Sequence, residues 1–142
     1  MDTLKVLKLR PDAHAPERAN GDDLGYDLFA VEQVLIPKGA MRPVKTGVAL
    51  QFPSGWGAII KDRSSMAMKR LITSAGVIDC GYRGEIVVLL TNLSNDDVTI
   101  EQDSKIAQLV PTPVTDWEMF VVDELDDTER GKGGFGSSGS SK

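Results

Sequence analysis

Apolar and polar residues alternate along much of this chain with the period of a half-buried strand, and turn-forming residues interrupt the alternation every few positions. Leu4-Lys5-Val6-Leu7-Lys8-Leu9 opens it as a strand, and Pro11 to Asp23 follows as a polar loop. In Gly25-Tyr26-Asp27-Leu28-Phe29-Ala30, the side chains of Tyr26, Leu28 and Ala30 fall on one face and those of Asp27 and Phe29 on the other. Val34-Leu35-Ile36 is closed by the turn signal Pro37-Lys38-Gly39. A second break, Pro53-Ser54-Gly55, separates a strand over Val44 to Phe52 from one over Trp56 to Lys61.

Only Arg63 to Leu71 reads as a helix, with a serine placed to cap its N-terminus and good helix formers behind it. Ile72 to Arg83 reads as a hairpin whose two-residue loop is Cys80-Gly81. Glu85 to Thr91 is nearly continuous in apolar residues, the pattern of a strand buried on both faces. Val98 to Ile100, Lys105 to Val110 and Trp117 to Val122 bring the predicted strands to roughly ten, and the fold class to all-β, a double-sheet jelly roll or distorted barrel.

Composition narrows this further. A chain of 142 residues suits one domain of the usual ~100–200 residues. The formal net charge is −5, so a phosphate backbone repels the chain as a whole and a nucleic-acid partner is not expected. A small anion is still compatible, because a few arginines, oriented backbone N–H groups and a divalent cation reverse the field locally. The single cysteine, Cys80, leaves no intramolecular disulfide and no cysteine-cluster zinc site, which fits a reducing compartment. No run approaches the ~20 apolar residues of a membrane span, so the expectation is a cytoplasmic protein without a membrane partner. After an acidic run from Asp123 to Glu129, residues 130–142 are a Gly/Ser-rich arm carrying one aromatic, Phe135. The expected organisation is a β domain over 1–129 followed by this flexible arm.

Taken singly, the polar candidates are unremarkable. Asp79 precedes a tight turn, where aspartate commonly serves the backbone. Asp27 sits on the polar face of a strand, and Gln108 in an apolar one. His14, the only histidine, lies in a Pro-flanked loop and has no nucleophile pattern around it. The Gly-rich segment leads into no helix and lacks the Lys-Ser or Lys-Thr of a phosphate loop. Phe135 stands apart, since a lone aromatic among glycines and serines has no local core to join.

In order, the same residues form five short segments. They are Leu24-Gly25-Tyr26-Asp27-Leu28-Phe29-Ala30; Pro53-Ser54-Gly55-Trp56-Gly57 leading into Arg63-Ser64-Ser65-Met66-Ala67-Met68-Lys69; Gly76-Val77-Ile78-Asp79-Cys80-Gly81-Tyr82-Arg83-Gly84-Glu85; Lys105-Ile106-Ala107-Gln108-Leu109-Val110; and Arg130-Gly131-Lys132-Gly133-Gly134-Phe135-Gly136-Ser137-Ser138-Gly139. The set resembles, in order and spacing, the five motifs of the trimeric dUTP pyrophosphatases, and it runs almost from end to end of the chain.

That resemblance implies hydrolysis of dUTP to dUMP and pyrophosphate, a reaction that limits uracil incorporation into DNA and supplies dUMP for dTMP synthesis. It implies Asp79 as the carboxylate that deprotonates a water for attack on the α-phosphorus. Tyr82 is implied beneath the deoxyribose, excluding a 2′-hydroxyl. Arg63, Ser64, Ser65 and Gln108 are implied on the phosphates. Backbone groups of the segment from Thr73 to Tyr82, among them Gly76 and Ile78, are implied on uracil. The arm is implied to close over the nucleotide, with Arg130, Gly134, Gly136, Ser137 and Ser138 at the γ-phosphate and Phe135 stacked on the base. Mg2+ is the implied cofactor, with Asp27 an outer-sphere ligand through water. The implied assembly is a homotrimer with shared active sites.

Two positions depart from the family pattern. Ser65-Met66 stands where many relatives have Gly-Leu, and Ser138 where threonine is usual. The nearest alternatives are a dCTP deaminase-type enzyme and a non-catalytic nucleotide-binding regulator on the same fold. The deaminase needs a glutamate poised in the central strand, and Ile86 to Thr91 offers no carboxylate after Glu85.

Overall fold

Ten strands and one short helix form among residues 2–136, the residues that the computed structural model describes. In chain order they are β1 (Lys5–Lys8), β2 (Tyr26–Phe29), β3 (Val34–Ile36), β4 (Met41–Gln51), β5 (Trp56–Lys61), α1 (Ser64–Met68), β6 (Leu71–Ser74), β7 (Val77–Ile78), β8 (Glu85–Asn92), β9 (Val98–Ile100) and β10 (Lys105–Pro113). One sheet has the order β1-β4-β8-β6, a second β2-β10-β5-β7, and β3 pairs with β9 alone. All the pairings are antiparallel. The all-β expectation holds, and the sheet order explains why, since strands neighbouring in space are mostly distant in sequence.

Alternation produces the core. In β8 the side chains of Ile86, Val88, Leu90 and Asn92 are buried while Glu85, Val87, Leu89 and Thr91 between them are half-buried. The first three share one core with Val44, Val48 and Leu50 of β4 and with Leu28, Ile60 and Leu109 of the second sheet. Each such aliphatic side chain, fully removed from water, contributes about 1.5–3 kcal/mol.

Four local expectations are corrected. First, β8 is not buried on both faces within the chain, because Val87 and Leu89 line a cavity instead of the core; an apolar run carries no information about which face has a neighbour. Second, the segment from Ile72 to Arg83 is not a hairpin. β6 pairs with β8 in the first sheet and β7 with β5 in the second, the chain crossing between them through Ala75 (φ 58) and Gly76 (φ 93). A tight turn does form at Cys80-Gly81, closed by the Tyr82 N–H donating to the Asp79 carbonyl at 3.1 Å, but its flanking strands belong to different sheets. Third, the helix covers only Ser64–Met68, with Arg63 and not a serine at the N-cap and no side-chain cap bond. Fourth, Trp117 to Val122 has the composition of a strand but forms none and is exposed; among the described residues no strand pairs with it.

Among the described residues no helix is long and apolar enough to cross a membrane.

The one fully buried amide shows how the two-stranded ribbon is tied on. Asn92 Nδ2 donates to the carbonyls of Ile36 at 3.0 Å and Asp96 at 2.8 Å, and Asn92 Oδ1 accepts from Ser94 N–H at 2.9 Å and Ser94 Oγ at 2.6 Å. Asn92→Leu is therefore expected to lower the unfolding free energy by about 2–4 kcal/mol, from about 1–3 kcal/mol for each buried polar group left unsatisfied. Urea denaturation measures this as a lower midpoint at unchanged slope.

Candidate active site

The crossing from β6 to β7 makes one wall of a cavity of about 310 Å³, whose other walls include Tyr82, Glu85, Val87 and Leu89. Two glycines shape it. Gly76 has φ +93, and a Cβ there would lie 2.9 Å from the Ile60 carbonyl oxygen, so the wall can hug β5 only without a side chain. A Cβ on Gly84 would lie 2.5 Å from Tyr82 Oη. The Tyr82 ring therefore rests on bare backbone, with Oη donating to the Glu85 carbonyl at 2.8 Å.

Asp79 sits on the rim of this cavity, exposed, and its carboxylate takes no hydrogen bond among the described residues. Its place is set by main chain: the 79–82 turn on one side and Gly57 on the other, where a Cβ would come within 2.7 Å of the Ile78 carbonyl. Glu85 also lines the cavity, but its Oε2 accepts the Gly47 N–H at 2.8 Å. That carboxylate holds the irregularity in β4 and is not poised over a ligand.

A second cluster lies on the other sheet. Asp27 of β2, Gln108 of β10 and Lys61 of β5 are direct cross-strand partners, and therefore share one face. Asp27, its side chain only 15 % exposed, holds Arg63 Nε at 3.3 Å and Lys105 Nζ at 3.0 Å. Arg63 Nη1 also donates to the Lys105 carbonyl at 3.3 Å, and Gln108 Nε2 donates to the Asp62 carbonyl at 2.9 Å. Ser64 and Ser65 are exposed in the first turn of α1 beside Arg63. Arginine, lysine, amide and hydroxyl donors around a single carboxylate make a cradle for an anion. Among the described residues no three His, Cys, Asp or Glu side chains gather as a metal cage. A lone Asp27 suits a cation that keeps its water and takes its inner ligands from an anion.

The two clusters are held apart by β5. Asp79 lies beside Gly57 near one end of that strand, whereas Arg63 follows its other end. From Gly57 to Lys61 alone the strand spans roughly 13 Å at ~3.3 Å per residue. Gly76 and Ile78 thus join Asp79 and Tyr82 at the cavity, while Arg63, Ser64, Ser65, Gln108 and Asp27 form the other group. Thr73 stands one residue outside the cavity wall, its N–H donating to Asp62 Oδ1 at 2.7 Å.

The side-chain hydrogen bonds of Arg130 and Thr128 tie the described part of the arm to itself. Arg130 Nε donates to the Gly133 carbonyl at 2.8 Å and Gly131 N–H to Thr128 Oγ1 at 3.1 Å, so these bonds stay local. Gly134 is half-buried, Gly136 is exposed, and the Phe135 ring is fully exposed. Ser137 and Ser138 lie outside the described residues.

Sequence reasoning missed Lys105, Asp62 and Glu85. Lys105 opens the fourth segment and Asp62 adjoins Arg63 of the second, and both could have been questioned on that ground. Nothing local marks Glu85 as the acceptor for Gly47.

Comparison with known proteins bears directly on this geometry. A family model described as dUTPase matches residues 11–139. The chain is 43% identical over 142 residues to the deoxyuridine 5'-triphosphate nucleotidohydrolase of Clostridioides difficile, covering 98% of this chain and 99% of that protein. It is 45% identical over 139 residues to the enzyme of the same name from Gloeothece citriformis, covering 96% of each. Among solved structures, the Staphylococcus bacteriophage 80alpha dUTPase with dUPNHPP superposes with a TM-score of 0.88 at 31% identity, covering 96% of this chain and 98% of that one. A mutant dUTPase from phage phi11 of S. aureus, solved to show coordination of a structural Mg(II) ion, gives a TM-score of 0.81 at 28% identity, covering 88% and 99%.

Proposed function

The chain belongs to the dUTPase family and hydrolyses dUTP to dUMP and pyrophosphate; we propose that Asp79 activates the water, at sites that three copies of the chain build together. The observation that carries this is a free carboxylate on the rim of a nucleoside-sized cavity, beside a tyrosine fixed on Gly84. With no partner among the described residues, the Asp79 carboxylate accepts a proton from a water placed in line with the α-phosphorus. The new bond forms between that water oxygen and the α-phosphorus. The bond to the bridging oxygen breaks, and pyrophosphate carries the electron pair away.

The remaining groups follow from where charge and shape are needed. Backbone donors and acceptors of the 74–78 segment read uracil, with Gly76 and Ile78 at the cavity. The Tyr82 ring lies under the deoxyribose, leaving no room for a 2′-hydroxyl. Arg63, Gln108 and the serines of α1 hold the phosphates. Asp27 is the residue that would reach a hydrated magnesium through water, and the ion would there neutralise charge on the triphosphate.

The direction of the cavity supports the shared site. Its inner wall, at Ser74 to Gly76, runs alongside Ile60 towards the Arg63 end of β5, and Asp79 stands at the opposite end. A base seated against that inner wall sends its triphosphate past Asp79 and away from the same chain's Arg63. The phosphate cluster then has to come from another copy. In a homotrimer each site takes the cavity from one chain, the cluster from a second and the arm, residues 130–142, from a third.

Pyrophosphate release from dUTP with magnesium tests the assignment of the base. Asp79→Asn is expected to bind dUTP while kcat falls by about 10²–10⁴, the usual contribution of a general base; a near-native kcat would move the role to another group.

A second expectation concerns the arm. The hydrogen bonds of Arg130 and Gly131 remain within the arm and its approach, so truncation after Glu129 should leave the thermal midpoint and the oligomer unchanged. It should lower kcat/KM by at least about a hundredfold, the size of one lost transition-state donor or more. Native turnover by the truncated chain would make the arm a passive tail.

A further inference from the structure

Between the two half-sites stands Asp62, whose carboxylate neither of them uses. It follows the last residue of β5, precedes Arg63, and is half-buried. Its Oδ1 accepts the Thr73 N–H at 2.7 Å and its own carbonyl accepts Gln108 Nε2 at 2.9 Å. Thr73 belongs to β6, the edge strand of the first sheet, and an edge strand has a row of N–H groups with no neighbouring strand. Asp62 satisfies one of them across the gap between sheets. Two residues earlier, the Ile60 N–H donates to the Gly76 carbonyl at 2.7 Å. The β5 end therefore grips the crossing segment twice, at Thr73 and at Gly76, and the exposed Ser74 and Ala75 between the grips are cavity wall. Ala75 has φ 58, a left-handed conformation that an alanine keeps only where its surroundings impose it.

We propose that Asp62 is a positioning residue for dUTP hydrolysis, setting the 73–76 wall against the Arg63–Gln108 cluster and thereby sharpening selection of the base. This rests on reading the cavity as the uracil half-site. A carboxylate is suited to the task because an ionised acceptor makes a shorter and stronger bond to a backbone N–H than a neutral one. Asp79 is held separately by its own turn and by Gly57, so loosening the wall acts on fit to the base and leaves the proton acceptor in place.

Asp62→Ala, Asp62→Asn and Thr73→Pro separate the outcomes when assayed with dUTP and dCTP. In Asp62→Ala the KM for dUTP is expected to rise by about tenfold or more, the size of one charge-assisted bond, with kcat changed by less than about threefold. The preference for dUTP over dCTP should narrow by a similar factor. Asp62→Asn keeps an acceptor in the same place and should restore most of both. Thr73→Pro removes the same N–H from an edge strand, where proline is tolerated, and should reproduce the loss; it carries the test if Asp62→Ala does not fold. Native KM and selectivity in Asp62→Ala would overturn the proposal. So would an Asp62→Asn variant as impaired as the alanine, because charge and not the bond would then be at work. Amide hydrogen exchange at Thr73 needs no catalysis: faster exchange in folded Asp62→Ala supports the grip, and unchanged exchange refutes it even if the native chain released no pyrophosphate from dUTP, a result that would by itself overturn only the assigned reaction.

Discussion

The length of one strand governs this molecule's chemistry. β5 runs through the second sheet with Asp79 beside its first residues and Arg63 just past its last. Backbone hydrogen bonds to β10 on one side and β7 on the other leave it no freedom to shorten. The fold that makes the Asp79 cavity and the Arg63 cluster thus also separates them within one chain. In the proposed homotrimer a second copy would bring its cradle to the first copy's carboxylate.

The same separation accounts for how an acidic chain handles a polyanion. With a net charge of −5, the surface as a whole repels a triphosphate. Arg63 and Lys105 are nevertheless gathered on one face, held by the mostly buried Asp27 carboxylate between them. That pairing orients the guanidinium, and two cations on one carboxylate leave the cluster locally positive, against the sign of the chain as a whole. Asp79, at the far end of β5, makes no ion pair among the described residues, the nearby Arg83 guanidinium donating instead to the Cys80 carbonyl at 2.9 Å. Placed side by side in one chain, Arg63 would instead engage Asp79 and leave it paired.

Much of this was legible from residues alone. Strand alternation found most of the elements, and Asp79, Tyr82, Gly76 and Ile78 do converge on one cavity. What misled was local composition without knowledge of neighbours. Trp117 to Val122 looks like a strand because it is apolar, yet strand formation needs a partner edge, which the described residues do not supply. The stretch from Ile72 to Arg83 looks like a hairpin because a tight turn follows two apolar runs, although those runs pair in different sheets. Asp62 and Glu85 were invisible for a related reason. Each serves a backbone N–H far away in sequence, 11 and 38 positions distant respectively, and a distant main-chain partner leaves no mark beside the carboxylate.

Subunit mixing tests the separation of the two half-sites most directly. Asp79→Asn chains lack the base but keep the cradle, and Arg63→Ala chains lack the cradle's arginine but keep the base. Each population alone should be nearly inactive. Unfolded together in equal amounts and refolded, they should recover activity approaching about a quarter of native, the share of sites in a randomly assembled oligomer that pair an intact Asp79 with another chain's intact Arg63. No recovery from mixed oligomers of native size would mean that base and arginine act within one chain, and the shared site would be wrong.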